Sequence, residues 1–430
     1  MRLSAAFALI AVSILLVAVF PSTGFWLACV LCLASLCWKR SLLAAFFFLA
    51  ALHCLIGYLV ASQGEGAIYW LGTGHAIWFG QAAFAIALGL FAMATAYRFG
   101  DHSKPTWLNS LAIDESRLRN VTRASVLIAA CLMFYLYAGF SVVDLAMQNL
   151  GEIGKLRYLG SETATDAYLV IRVSDALVCT LPLLWIMRQK RLDYFIYSVG
   201  LLALLLPLRR AAILSVLLIP LLIQSKPINY RKLGITLLVL FAIFALSQVA
   251  LLSFTENDAY SSLASALSEV RDLGWVMELM HGTYLKGATL IQPFDPLPGL
   301  IDNWKNTHSM VYYTANLLNI DPESRLFGGL RLTLAGEAFM NFWFWGPVVC
   351  GFLLGLAAAW CERALKNSGS LPILYLSVTA MVWVCLWLYL GGTQAVATLK
   401  FELVVLSAVY FLARKRSVPV SAASLQPVLQ

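Results

Sequence analysis

Charge is what this sequence has least of. Only 12% of its 430 residues are Asp, Glu, Lys or Arg, while 61% are apolar, and uncharged runs of about 20 residues, the length a membrane-crossing helix needs, recur along the chain. So little charge excludes an ordinary water-soluble domain, where about a quarter of residues carry one, and equally a disordered chain, which lacks hydrophobicity. The familiar sequence signatures of chemistry are missing too. There is no Walker loop, no GxSxG elbow, and no DxD-like acidic pair placed for a metal and a nucleotide sugar. The nine cysteines all fall in or beside apolar runs, and the one short spacing, Cys29-x-x-Cys32, lies inside a helical segment. They read as small core hydrophobes, so neither a disulfide framework nor a metal site is indicated, and no cofactor is called for.

What is present is an all-α polytopic membrane protein. A window of about 19 residues gives twelve expected spans, beginning near Leu3, Phe25, Ser41, Ala76, Ala124, Tyr168, Tyr194, Ala211, Leu233, Ala335, Leu371 and Ala395. The first could pass for a signal peptide, but it has no convincing cleavage site and counts as a span. If the N-terminus is inside, Arg2, Trp38–Arg40, the 98–123 segment, Arg188–Arg191, the 226–232 turn, the Arg363/Lys366 turn and the ARKR tail all face the cytoplasm and hold 19 of the 30 Lys and Arg. That asymmetry orients both termini inward and accounts for the net charge of +8 without a nucleic-acid partner. The expected division is a bundle of nine spans over 1–253, a large outside loop over 254–334, three spans over 335–415 and a cytoplasmic tail over 416–430.

Two segments are too long for turns. The inside stretch 97–123 mixes Trp, Leu and Ile with charges, and its pattern predicts a segment lying along the interface. The outside segment of roughly eighty residues is rich in aromatics and apolar runs, including ASALSEVRDLGWVMELM and SMVYYTANLL. It is expected to be partly helical, with short amphipathic helices packed on the outer end of the bundle.

One apolar run, LLALLLPLRRAAILSVL, is broken by Arg209 and Arg210, each costing roughly 2.5–3.5 kcal/mol at a helix centre. The topology puts them in a short outside turn, where arginine can snorkel to the interface. Short outside turns avoid positive charge, however, and a guanidinium pair suits a phosphate or pyrophosphate, so phosphate binding is the favoured reading. Other outward charges, Lys155, Arg157, Arg172, Arg271, Lys286, Lys305, Arg325 and Arg331, are individually solvated surface charges and collectively a possible lining for an anionic lipid headgroup.

Glu337 and Asn341 in AGEAFMNFWFWGP are four apart and share one helix face, as a membrane carboxylate pointing into protein requires. A helix-start acid beside the N-terminal dipole is the competing account. His281 and His308 lie in the outside loop, and His53 and His75 in or near spans. A structural role ranks first for each, although any transfer to a sugar hydroxyl needs a base that His or a carboxylate can supply. Asp295 and Asp302 are weaker candidates, and Lys400 with Glu402 reads as an ion pair or as snorkelling residues.

Three stretches together resemble the oligosaccharide repeat unit polymerases, the Wzy-type O-antigen polymerases: HGTYL (281–285) with QPFDPLPGL (292–300), GGLRLTLAGEAFMNF (328–342), and the turn PLRRAAI. The likeness in order and topology covers about 168–365. The family usually carries a glycine where this chain has Trp343, and often a small residue where it has Pro207-Leu208. The resemblance implies a metal-independent membrane glycosyltransferase on the periplasmic face of a bacterial inner membrane. It would transfer an undecaprenyl-pyrophosphate-linked chain onto a new lipid-linked repeat unit, alongside a flippase and a chain-length regulator. In that scheme Arg209, Arg210 and some of Arg157, Arg172, Arg325 and Arg331 stabilise the departing pyrophosphate. Glu337, His281 or His308 deprotonates the acceptor, and Tyr284, Asn341 and the aromatic loop hold sugars.

The nearest rival is an O-antigen ligase. A transporter or flippase without covalent chemistry is the rival from another class, but such proteins collect polar residues at the midplane, and here charge collects at the outer face.

Overall fold

The computed structural model describes residues 23–36, 42–62, 76–99, 114–137, 164–206, 269–280, 282, 284–289, 310–318, 332–367 and 392–414, with 216, 375, 379 and 380. These form helices α1 (Thr23–Leu36), α2 (Leu42–Ser62), α3 (Ala76–Phe99), α4 (Glu115–Leu136), α5 (Ala164–Ile186), α6 (Arg191–Leu205), α7 (Glu269–Met280), α8 (Met310–Leu317), α9 (Leu334–Phe342), α10 (Trp345–Asn367) and α11 (Gly392–Ala413). Three of them contain stretches long and apolar enough to cross a membrane: Trp78–Arg98, Glu115–Leu136 and Trp345–Arg363. Exposed Trp345, Val349, Leu353, Leu356 and Trp360 run down one face of α10. Water would penalise that apolar stripe and lipid would not.

The helices pack in two sets. α1, α2, α3, α7, α8, α9 and α10 form one, centred on α3, and α4, α5, α6 and α11 form the other. The central contact of the first set, α3 on α10, depends on glycine. A Cβ on Gly351 would lie 2.1 Å from the Gly89 carbonyl oxygen, and one on Gly355 would lie 2.2 Å from that of Met93. This small-xxx-small spacing lets two backbones touch where larger side chains would hold them apart.

In the second set, Asp114 caps α4 by accepting from the Ser116 and Arg117 backbone N–H groups, and its own N–H donates to the Ala413 carbonyl at the end of α11. Asp193 accepts from the Gln189 and Lys190 N–H groups at 2.9 Å and from Arg123 Nε at 2.5 Å, closing the turn between α5 and α6. Arg188 lies 3.9 Å over the Trp185 ring. Basic residues therefore collect where α4 begins, α5 ends and α6 begins. In the first set Tyr97 hydrogen-bonds Glu362, bringing the ends of α3 and α10 together, with Arg98 and Arg363 beside them.

Two expectations need correcting here. The 97–123 stretch is not one interfacial segment: α3 runs through Phe99, and α4 begins at Glu115, nine residues before Ala124. The Asp114 cap and the alternation of buried Leu118 and Thr122 with exposed Glu115, Ser116 and Arg117 make the charged stretch the first turns of α4. The span placed at Ala335 begins instead at Trp345. The residues ahead of it form the separate nine-residue α9, which stops where Trp343 takes φ +56° and ψ −152°. The first span, the two beginning at Ala211 and Leu233, and most of the one at Leu371 lie outside the described residues.

Candidate functional site

Helix α9 starts at Thr333, whose Oγ1 accepts from the Gly336 N–H at 3.3 Å. From that cap the spacing of four puts Thr333, Glu337 and Asn341 on one face, and all three are buried, Glu337 completely. The shared face read from the sequence is present, with Glu337 in the first turn. The Asn341 amide Nδ2 donates to Thr289 Oγ1 at 2.7 Å and to the Glu337 carbonyl at 2.9 Å, and its Oδ1 accepts from the Gly287 N–H at 2.9 Å.

A short helix leaves its last carbonyls unpaired. Here the Leu285 and Lys286 N–H groups donate to the carbonyls of Met340 and Asn341 at 2.9 and 3.1 Å. Positive φ at Lys286 and Gly287 bends the chain to meet them. Tyr284 packs edge-on against Phe339, ring centroids 6.1 Å apart. Burial raises the Tyr284 pKa, so its hydroxyl stays protonated. The 284–289 turn and α9 are thus one unit, although the residues bonded between them are more than fifty apart in sequence.

Helix α7 supplies the other side. Its pattern is amphipathic, yet Val270 to Met277 are all buried, because α2, α3, α8 and α9 surround it. Arg271, expected as a solvated outward charge, is 7% exposed: it donates to Asp272 Oδ1 from Nη2 at 3.0 Å and lies 4.7 Å over the Trp275 ring. Burial of this arginine is compensated by that carboxylate and ring. At the start of α7, Glu269 Oε2 lies 2.7 Å from His53 Nε2 in the middle of α2.

The starts of α7 and α9 meet at a small cleft with about 30 Å³ of room, space for little more than a water molecule. It is lined by Ala50, His53 and Cys54 of α2, Ile86, Gly89 and Leu90 of α3, Glu269 and Val270, Thr333 to Ala335, and Pro347, Cys350, Gly351 and Leu354 of α10. These are mid-length positions of α2 and α3, so α7, expected to pack on the outer end of the bundle, begins within the helix set instead.

Of the residues singled out in the sequence, Glu337, Asn341 and Tyr284 are brought together. Arg172 is in the other helix set, donating to Asp175 Oδ2 at 3.1 Å and lying 5.6 Å from the Phe401 ring centroid. Arg157, Arg209, Arg210, Arg325, Arg331, His281 and His308 lie outside the described residues. Sequence reasoning ranked His53 as structural and passed over Glu269, Thr333 and Thr289. The available signal for His53 was its standing as the one histidine, and the only formally charged or His residue, in the 21 residues of α2. The chain matches no protein-family model, no curated protein and no solved structure.

Proposed function

We propose that this chain polymerises undecaprenyl-pyrophosphate-linked oligosaccharide repeat units into O-antigen or a related surface polysaccharide, on the periplasmic face of a bacterial inner membrane. The observation that supports it is the joining of two stretches of the resemblance. HGTYL leads into the turn whose backbone and side-chain bonds end on Met340 and Asn341 in the C-terminal turn of GGLRLTLAGEAFMNF, and Thr333 to Ala335 of the latter line a cleft that also holds His53 and Glu269.

In this reading the acceptor hydroxyl attacks the anomeric carbon of the donor chain and the lipid pyrophosphate leaves. Arg209, Arg210 and one or more of Arg157, Arg172, Arg325 and Arg331 are the arginines proposed to neutralise it, and Arg172 is paired with Asp175. Arg331 precedes the Thr333 cap by two residues. Tyr284, with its neutral hydroxyl, offers a sugar a ring face and a donor.

Deleting the gene and running surface polysaccharide on a gel tests the proposal. A polymerase leaves a single repeat unit attached to the lipid core and no ladder. Loss of every attached unit identifies a ligase or flippase instead, and an unchanged ladder refutes the reading.

A further inference from the structure

We infer that the end of the second helix set where α4 and α6 begin binds the headgroup of an anionic phospholipid, with Arg119 as its central contact and Arg123 and Arg191 beside it; this goes beyond the polymerase reading and does not depend on it. Four helix ends meet there. The Asp114 N–H donates to the Ala413 carbonyl, joining the start of α4 to the end of α11, and Asp193 ties Arg123 of α4 to the turn between α5 and α6. Across 114–123, 188–193 and Arg414, seven basic residues stand against the three acids Asp114, Glu115 and Asp193, so an anion is the complementary partner.

The acids present do not satisfy the arginines. Asp114 accepts from the Ser116 and Arg117 N–H groups, so the helix terminus is already capped and the donors on offer are side chains. Arg119 and Arg123 sit one turn apart on the same face of α4, where like charges repel. Asp193 accepts from Arg123 Nε. Arg123 Nη2 and Arg119 Nε, however, are buried atoms with no hydrogen-bond acceptor among the described residues. Charged donors left buried and unmet are costly, and a phosphate offers several oxygens in a geometry that suits guanidinium groups.

The apolar surroundings make that phosphate a lipid's. One turn beyond Arg123 the same face of α4 carries exposed Leu127, and on α6 the column that starts at exposed Arg191 continues through exposed Phe195 and Leu202. Each column passes from guanidinium to exposed apolar side chain within three turns, the order of headgroup and acyl chain in an amphiphile. Arg188, over the Trp185 and Tyr194 rings, belongs to the same end, and such rings gather at the headgroup level of a membrane. The charge asymmetry of the sequence predicts that this end faces the cytoplasm, where the leaflet carries negative surface potential.

The test titrates the full-length protein in neutral detergent with dioleoyl phosphatidylglycerol or dioleoyl phosphatidylcholine, reading retained lipid by native mass spectrometry and thermal stability as Tm. Wild-type protein should bind phosphatidylglycerol about tenfold more tightly than phosphatidylcholine, and Arg119→Gln should weaken phosphatidylglycerol binding by about fivefold or more. Arg363→Gln removes the same charge from the end of α10 in the other set, and should leave that affinity within about twofold of wild type. Equal binding of the two lipids overturns the inference. Equal weakening by Arg119→Gln and Arg363→Gln also overturns it, because the attraction is then diffuse and no site exists. If inorganic phosphate at matched concentration raises Tm as far as phosphatidylglycerol does, the ligand is a soluble phosphate and the lipid assignment is overturned. Should Arg119→Gln not accumulate, Arg191→Gln, at an exposed position, decides by the same comparison with Arg363→Gln.

Discussion

Asn341 reaches across 52 residues of sequence to donate a hydrogen bond to Thr289, 2.7 Å from amide nitrogen to hydroxyl oxygen. The same side chain holds the Gly287 N–H, so Asn341→Leu strands a buried donor and a hydroxyl together. A loss of about 2–3 kcal/mol is expected, visible as a lower Tm in detergent. On the polymerase reading proposed above, polymer length should shorten with it, because the 284–289 turn loses its side-chain anchor. An unchanged Tm would show that the backbone bonds to Met340 and Asn341 suffice.

Trp343 occupies a backbone conformation that is essentially confined to glycine. The residue is 41% exposed, with its ring packed on that of Phe344 at 5.2 Å between centroids. Trp343→Gly should therefore raise stability by about 1 kcal/mol, the relief of strain exceeding glycine's extra entropy in the unfolded chain. Thermal denaturation of the variant beside wild type measures the sign directly.

Gly351→Ala places a methyl 2.1 Å from a backbone oxygen that no rotamer can move. It should cost about 3 kcal/mol or more, at the upper end of overpacking penalties, and protein levels in the membrane should fall. Gly282→Ala is a useful contrast, since nothing lies within 4 Å of the added carbon and only the backbone at φ +80° resists it.

Acid should unlock the turn between α5 and α6. Burial alone pushes the Asp193 pKa up, but the bond from Arg123, the Gln189 and Lys190 N–H groups and the Arg123 charge outweigh it and hold the carboxyl well below the usual carboxylate range. A depressed folded-state pKa contributes stability that is complete above the unfolded value of about 3.9 and is lost as pH falls below it. Thermal stability measured from pH 7 down to pH 3 should decline below about pH 4 in wild type. Asp193→Asn should start lower by about 1.5–3 kcal/mol and decline less.

The sequence made some parts of this arrangement easy to read. α1, α2 and α3 begin within two residues of where hydropathy placed spans, α3 at the same first residue, because a long uncharged run has one economical solution in lipid. The Glu337/Asn341 face was legible for an equally local reason, the helical spacing of four. What could not be read was which face meets which. Thr289 and Asn341, or His53 and Glu269, carry no local signal of each other, and a buried Arg271 resembles a solvated one until its partners Asp272 and Trp275 are seen around it. The break at Trp343 was hidden because a bulky aromatic residue is the last one expected to end a helix at positive φ.

The pairing of α3 with α10 also has a consequence for biosynthesis. The two helices are separated by about 250 residues, which at about 5–20 residues per second takes a ribosome some tens of seconds to make. Throughout that interval the Gly89–Met93 surface of α3 waits without its partner while α4, α5 and α6 emerge and have the chance to associate with one another. α11, which completes their set, arrives last of all. Both described helix sets are therefore left open until α10 and α11 are inserted, and a nascent chain stalled before α10 should be held by insertion chaperones or cleared by membrane proteases.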